Sequence, residues 1–278
     1  MKQFLLFFSL CFFVGHAFAE EQNAPPAQKK SASQFIGIKV PAEMDSGKAQ
    51  VSEVLVYQGQ WVRSGDVLVK LKDGKEESDV ILQSNGVVMK VLLGRGDKVS
   101  KGAVLLYLKR IDEKRPDFLS AWEAFYDVNM GVPEVGKKIG GTVKYNIEIP
   151  ELKDGKWKNA CSIRMSYVLN KTGFPVKPEG YAVAKGADGM QYMYRLNDMI
   201  SFLHETLGAP DIVIDRAPRP ENFREMKGIL AVTGDGRGDS TGHITLWNGL
   251  RCSDICHLTG DPWNRTFTPR KAALWLLP

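Results

Sequence analysis

Asn159-Ala-Cys-Ser-Ile-Arg-Met-Ser-Tyr-Val-Leu-Asn170 is the stretch on which the fold turns. Cys161 to Asn170 reads as a helix closed by Gly173, with Ile163, Val168 and Leu169 anchoring it in a core. Asn159 is a residue type that caps helix starts, which predicts Cys161 in the first turn. There the helix dipole favours a thiolate, the form of cysteine that attacks a carbonyl. The same backbone N–H groups are donors for an oxyanion. The competing reading is a buried structural cysteine, because free cysteine packs as a small hydrophobe.

A nucleophilic thiol needs a base. Thr241-Gly-His-Ile-Thr-Leu-Trp-Asn-Gly249 places His243 at the start of a strand predicted over Gly242 to Leu246. From there an imidazole can take the thiol proton and later protonate a leaving amine. A hydrogen-bonded core histidine is the alternative. His204 falls inside a helix predicted from Asp198 to Leu207 and reads as a packing or surface residue, and His257 is a weaker base candidate. A third group should orient the imidazole. Asp254, eleven residues after His243, is one candidate and Asn248 is the other.

The chain has four cysteines. Cys252 and Cys256, spaced i, i+4 on a helical turn, would have Cα atoms about 6 Å apart, inside the disulfide range. Cys11 lies in an N-terminal segment read as removed, so Cys161 is the leftover thiol. A zinc site from Cys252, Cys256 and His257, with His243 as a remote ligand, has suitable ligand types. The short loop and an oxidising compartment favour the disulfide.

That compartment follows from the N-terminus. Lys2, an apolar run from Phe4 to Gly15, and Ala17-Phe18-Ala19 read as a signal peptide over residues 1–19. The run is shorter than the ~20 residues of a membrane span. The chain is expected to be exported, periplasmic or secreted, with no stable membrane insertion. Residues 20–34, with Pro25 and Pro26 and no apolar period, read as a flexible linker.

Residues 35–110 read as a small all-β module. Gly59-Gln-Trp-Val62-Arg-Ser-Gly65-Asp-Val-Leu68 matches Gly96-Asp-Lys-Val99-Ser-Lys-Gly102-Ala-Val-Leu105 at a constant offset of 37 residues. Asn85-Gly86 is a tight-turn signal. Ile111 to Pro116 is a charged boundary. Beyond it the pattern is mixed α and β: a helix from Phe118 to Tyr126, a strand from Thr142 to Ile149, and a short strand from Ile229 to Thr233. The formal charge is +5. Its basic residues form no run with interleaved aromatics, so nucleic acid is not an expected partner.

The repeat resembles the biotinyl/lipoyl-like domain, a flattened barrel with pseudo-two-fold symmetry. That family carries its cofactor on a lysine at a hairpin tip, and Lys75 falls at about that position. Gly74 and Glu76 depart from the family's usual context, so the resemblance implies an unmodified scaffold. Residues from about 116 to 258 resemble the type VI secretion amidase effector 4 family. Four blocks carry this: Val135-Gly-Lys-Lys-Ile-Gly-Gly141; Asn159 to Asn170; Tyr194-Arg-Leu-Asn-Asp-Met199; and Gly242 to Gly249 with Cys252, Asp254 and Cys256. The resemblance implies an α+β chain with a papain-like, NlpC/P60-related cysteine amidase domain over 116–278. It implies a Cys161–His243–Asp254 triad, a Cys252–Cys256 disulfide and no metal or organic cofactor. The implied reaction is hydrolysis of the γ-D-glutamyl–meso-diaminopimelate bond of peptidoglycan, with a periplasmic immunity protein as a possible partner. A non-catalytic cell-wall binding protein with a degenerate hydrolase domain is the alternative. The signal peptide departs from the family's injected effectors.

Overall fold

A computed structural model describes residues 35–44, 49–111, 114–149, 157–236, 242–259 and 267–278. The expected signal peptide and linker lie outside these residues. Residues 34–278 form one compact unit, and no helix among the described residues is long and apolar enough to cross a membrane.

The N-terminal part is all β. Its strands are β1 (Phe35–Lys39), β2 (Gln50–Val54), β3 (Trp61–Val62), β4 (Val67–Asp73), β5 (Glu76–Ile81), β6 (Gly86–Val91) and β7 (Val104–Arg110). They make two open sheets, ordered β1-β7-β6-β3 and β2-β4-β5, rather than the closed barrel expected from the sequence. The 37-residue repeat is visible bond by bond. Gly59 N–H donates to the Val88 carbonyl at 2.7 Å, and Gly96 N–H donates to the Val51 carbonyl at 2.8 Å. Val88 N–H returns to the Gln60 carbonyl and Val51 N–H to the Asp97 carbonyl, both at 2.9 Å. Each copy thus uses one glycine loop to tie the two sheets together at an edge. Gly59 and Gly96 sit at φ 84° and 90°, the left-handed region that side chains with a Cβ rarely adopt. Between the sheets, Val51, Leu68, Leu71, Val88, Leu106 and Leu108 are fully buried.

The rest mixes helices with a second antiparallel sheet. The helices are α1 (Phe118–Tyr126), α2 (Val132–Ile139), α3 (Gly141–Glu148), α4 (Cys161–Lys171) and α5 (Leu196–Leu207). The strands are β8 (Val183–Lys185), β9 (Gln191–Met193), β10 (Ile212–Ile214), β11 (Gly228–Asp235), β12 (Gly242–Trp247) and β13 (Thr268–Leu276). Four of them form a sheet ordered β10-β13-β11-β12, and β8 pairs with β9.

The strand expected from Thr142 to Ile149 is helix α3. Its alternating apolar residues include Val143 and Ile147, which are also i, i+4 and line one helical face, while Tyr145 points outward at 64% exposure. Ile147 packs onto Gly136 of α2, where a Cβ would come within 3.1 Å of it. Gly140 and Gly141, both at positive φ, turn the chain from α2 directly into α3.

Alternate residues of β11 feed two different cores. Ile229 and Ala231 face the helices, packed with Ile163, Met165 and Leu169 of α4. Leu230 and Val232 face the opposite side, in a cluster with Phe223, Trp247, Leu274 and Leu276. Val87, Trp61 and Met89 of the β-module and Ile111 belong to that second cluster. A buried polar hub reinforces the junction. Asp211 accepts from Arg115 and from Leu276 N–H at 2.8 Å, and Lys109 Nζ lies 3.6 Å from its Oδ1.

Candidate active site

Cys161 is the first residue of α4, and its thiol is free and partly buried. The N-cap is Ala160, not Asn159, and no side chain caps the helix. Asn159 instead lines the cleft in front of the thiol. The expected first-turn position of Cys161 holds, and the dipole argument with it.

His243 is the second residue of β12 and is 8% exposed. Residues 244 and 246 of this strand pack with the helical core, so His243, Thr245 and Trp247 share the other face. His243 Nε2 lies 2.9 Å from Asp254 Oδ1, and Cys161 lines the same cleft, near enough for the two side chains to shift each other's titration. With Nε2 engaged by the carboxylate, Nδ1 is the nitrogen left for sulfur. The three residues therefore stand together on one cleft.

Electrostatics push Cys161 and His243 toward a charged pair. Burial alone would raise the Cys161 thiol, but the hydrogen bond and charge of His243, with the Ile244 backbone, pull it below the ordinary value. Burial would likewise lower His243. The charge and hydrogen bond of Asp254 and the bond to Cys161 overcome this and raise it to about 10. Asp254 is held low against its own burial by His243, Thr245 and Arg164.

Asp254 sits on a loop closed by the Cys252–Cys256 disulfide, with Cα atoms 5.3 Å apart. The loop is not the helical turn expected from the spacing. Cys252 instead bridges back to Trp247 as an isolated β pair. The bonded sulfurs leave no thiolates for the zinc alternative, and no metal-binding cluster occurs among the described residues. Asn248 does not orient the histidine. Its side-chain oxygen accepts from Leu250 and Arg251 N–H and shapes the turn after β12.

Three supports escaped the sequence reading. Arg164, one turn after Cys161, donates to the Val128 and Met130 carbonyls and places Nη1 3.7 Å from Asp254 Oδ2. Ser253 Oγ lies 2.9 Å from Thr245 Oγ1 and accepts from Leu246 N–H, fastening the loop to β12. Asn129 Nδ2 donates to the Ser253 carbonyl. Arg164 at i+3 from the cysteine and Thr245 at i+2 from the histidine were the available signals, since both spacings share a face. His257 packs against His243 with ring centroids 4.4 Å apart and the rings tilted by 40°. His204 is exposed at the surface and meets Trp275 edge-on. Lys75 is exposed at the tip of the β4–β5 hairpin.

Cys161, His243 and Asp254 open on a cleft of about 440 Å³ whose lining includes Asn129, Lys158, Asn159, Arg164, Ile255 and His257. A somewhat larger hollow of about 520 Å³, between Ala217–Glu221 and Thr268–Pro269, contains none of them.

Known proteins resemble both parts of the chain. Residues 37–108 match the family described as biotin-requiring enzyme. Over 84 residues the chain is 37% identical to the dihydrolipoyllysine-residue acetyltransferase component of the pyruvate dehydrogenase complex of Pseudomonas aeruginosa, and it spans 15% of that protein's length. Residues 157–275 match the family described as type VI secretion system (T6SS), amidase effector protein 4. The chain is similar to Tae4 in the Tae4–Tai4 effector–immunity complex of Enterobacter cloacae. Identity is 48%, over 59% of this chain and all of that one, with a TM-score of 0.55. It is 49% identical to Tae4 of Salmonella typhimurium crystallised with the E. cloacae immunity protein Tai4, with the same coverage and a TM-score of 0.54. Carrying a lipoyl-like module ahead of this domain, the chain belongs to the type VI secretion amidase effector 4 family.

Proposed function

We propose that the protein is a peptidoglycan amidase that cuts the γ-D-glutamyl–meso-diaminopimelate bond with Cys161 as nucleophile, His243 as base and Asp254 as orienting carboxylate. One observation carries this: a thiol at a helix start shares a cleft with an imidazole whose Nε2 is held 2.9 Å from a buried carboxylate. A helix-borne cysteine against a strand-borne histidine supports a papain-like, NlpC/P60-related assignment. The membership in an amidase effector family supports the substrate class.

The Cys161 thiolate attacks the γ-carbonyl carbon of D-glutamate. The oxyanion that forms faces the backbone N–H groups at the start of α4. The His243 imidazolium gives its proton to the diaminopimelate nitrogen as the C–N bond breaks, leaving a thioester. Water, deprotonated by His243, then attacks the thioester. The products are a free γ-carboxylate and a free amine, and the thiolate–imidazolium pair is restored.

This work belongs in the periplasm or outside the cell. That placement rests on the leader-like run ending at Ala19 and on the disulfide beside the site. A periplasmic immunity protein is the partner we propose, because two of the similar Tae4 proteins were crystallised with Tai4.

The test is digestion of purified peptidoglycan by the mature protein beside Cys161→Ala, with products read by mass spectrometry. Stems ending in D-glutamate, absent with the variant, are expected. Wall binding without cleavage by either protein would instead make this a binding protein.

A further inference from the structure

The solved relatives cover about three-fifths of this chain, so the β-module is an addition to the effector domain. A module joined only for targeting would need no fixed contact with the hydrolase. Here one of its two glycine loops is wedged into it. A Cβ on Gly59 would stand 1.9 Å from the Glu225 carbonyl oxygen. Glu225 itself holds a positive φ of 64°. On its other side it meets Gly249, where a Cβ would be 3.1 Å from Glu225 Cα, and its N–H donates to the Gly249 carbonyl at 3.1 Å.

Gly249 lies in the turn between β12, which carries His243, and the disulfide loop, which carries Asp254. Beneath this line of contacts, Trp61, Val87 and Met89 of the module share a core with Phe223, Met226, Trp247 and Cys252. Trp247 Nε1 also donates to the Phe223 carbonyl at 2.7 Å. Trp247 and His243 occupy the same strand face. The module thus rests on the loop and strand that hold the acid–base pair.

We propose that the β-module is a built-in buttress of the active site, with Gly59 and Trp61 as positioning residues that press Glu225 and Trp247 against the turn and loop carrying Asp254. The inference rests on the triad reading above for its effect on rate. Its mechanical part, the fixing of residues 248–256 by the module, stands without it.

The internal repeat supplies a matched control. Gly96 has the same turn, the same hydrogen bond and nearly the same φ as Gly59, yet a Cβ there meets nothing within 4 Å. Gly59→Ala and Gly96→Ala therefore carry similar backbone strain inside the module, and only the first disturbs the hydrolase. In the full mature chain, kcat should fall about tenfold for Gly59→Ala relative to Gly96→Ala, with KM within about twofold. Amide exchange at Glu225, Asn248 and Ser253 should quicken about tenfold in Gly59→Ala alone. The His243 titration, followed by NMR, should move down in that variant alone. Should Gly59→Ala not fold, Trp61→Leu is read by the same three measurements. Equal kcat, exchange and titration in the two alanine variants would overturn the proposal. A wild-type chain that cleaves nothing, but shows the exchange difference, would keep the buttress and remove the triad reading.

Discussion

Asp254 carries three jobs at once: it holds the His243 ring, stabilises its positive charge, and closes an ion pair with Arg164. Asp254→Asn keeps the shape and removes the charge. Its kcat is expected to fall about 10²–10⁴-fold, as the wrong tautomer is stabilised and the ion pair weakens. The pH profile separates this from simple misfolding. In the wild type, His243 stays protonated until the pH nears about 10, so the basic limb lies high. In the variant it should drop toward the ordinary histidine range. The same shift governs stability. A raised folded pKa contributes stability that is whole below about pH 6.5 and is lost progressively as pH climbs toward 10. Unfolding followed from pH 6 to 10 should show that decline in the wild type and a flatter curve in Asp254→Asn. An unmoved basic limb would mean that another group orients the imidazole. That Cys161 and His243 would share a cleft was readable from their local context, whereas the choice of Asp254 over Asn248 came from the family resemblance and not from spacing. Arg164 was not legible, because its partners, Val128, Met130 and Asp254, are distant in the chain and meet it only in the fold.

At the scale of elements, local pattern decided well where the apolar period was unambiguous. Helix α4 and strand β12 lie where their residues predicted. Helix α3 does not, because Val143 and Ile147 satisfy both a period of two and an i, i+4 face. The deciding fact is tertiary: glycine at 136 lets Ile147 approach α2, which no local window reveals. The disulfide loop shows a related limit. Spacing permitted the Cys252–Cys256 bond, but the loop's course depends on Ser253 meeting Thr245 and on Cys252 pairing with Trp247. The bond encloses few residues, so its loss through Cys252→Ser with Cys256→Ser should cost about 2 kcal/mol in the chain-entropy view. The larger effect is expected on rate, since Asp254 stands between the two cysteines. Denaturant unfolding and kcat, each with and without reductant, check this. Reductant should lower both in the wild type and neither in the double variant. A wild type insensitive to reductant after its thiols titrate as free would mean that Ser253 and Arg164 hold Asp254 unaided.

Across the whole molecule, the two halves announce themselves in the sequence, one by a 37-residue repeat and one by its cysteine and histidine blocks. Their union does not. Nothing in the sequence patterns of the two halves singles out Trp61, Val87, Met89 or Asp211 as junction residues. Only the fold shows the first three in a core shared with Trp247 and Leu274, and Asp211 almost fully buried with Lys109 and Arg115 against it. A shared core makes the halves unfold together, so calorimetry on the mature chain should give one transition. Asp211→Asn tests the polar part of the junction. It keeps the side-chain volume but removes the carboxylate charge that Lys109 and Arg115 face. Breaking a buried pair from one side costs about 3–5 kcal/mol, more than the pair itself is worth. Asp211 lies between α5 and β10, and its carboxylate faces Lys109 of β7 as well as accepting from Leu276 N–H, so the loss should reach both halves. The expected record is a lower melting temperature with the transition broadened or split. Chemistry should be less affected than stability, because none of these groups lines the cleft. A variant that melts like the wild type in a single sharp transition would show that the apolar cluster alone holds the halves together.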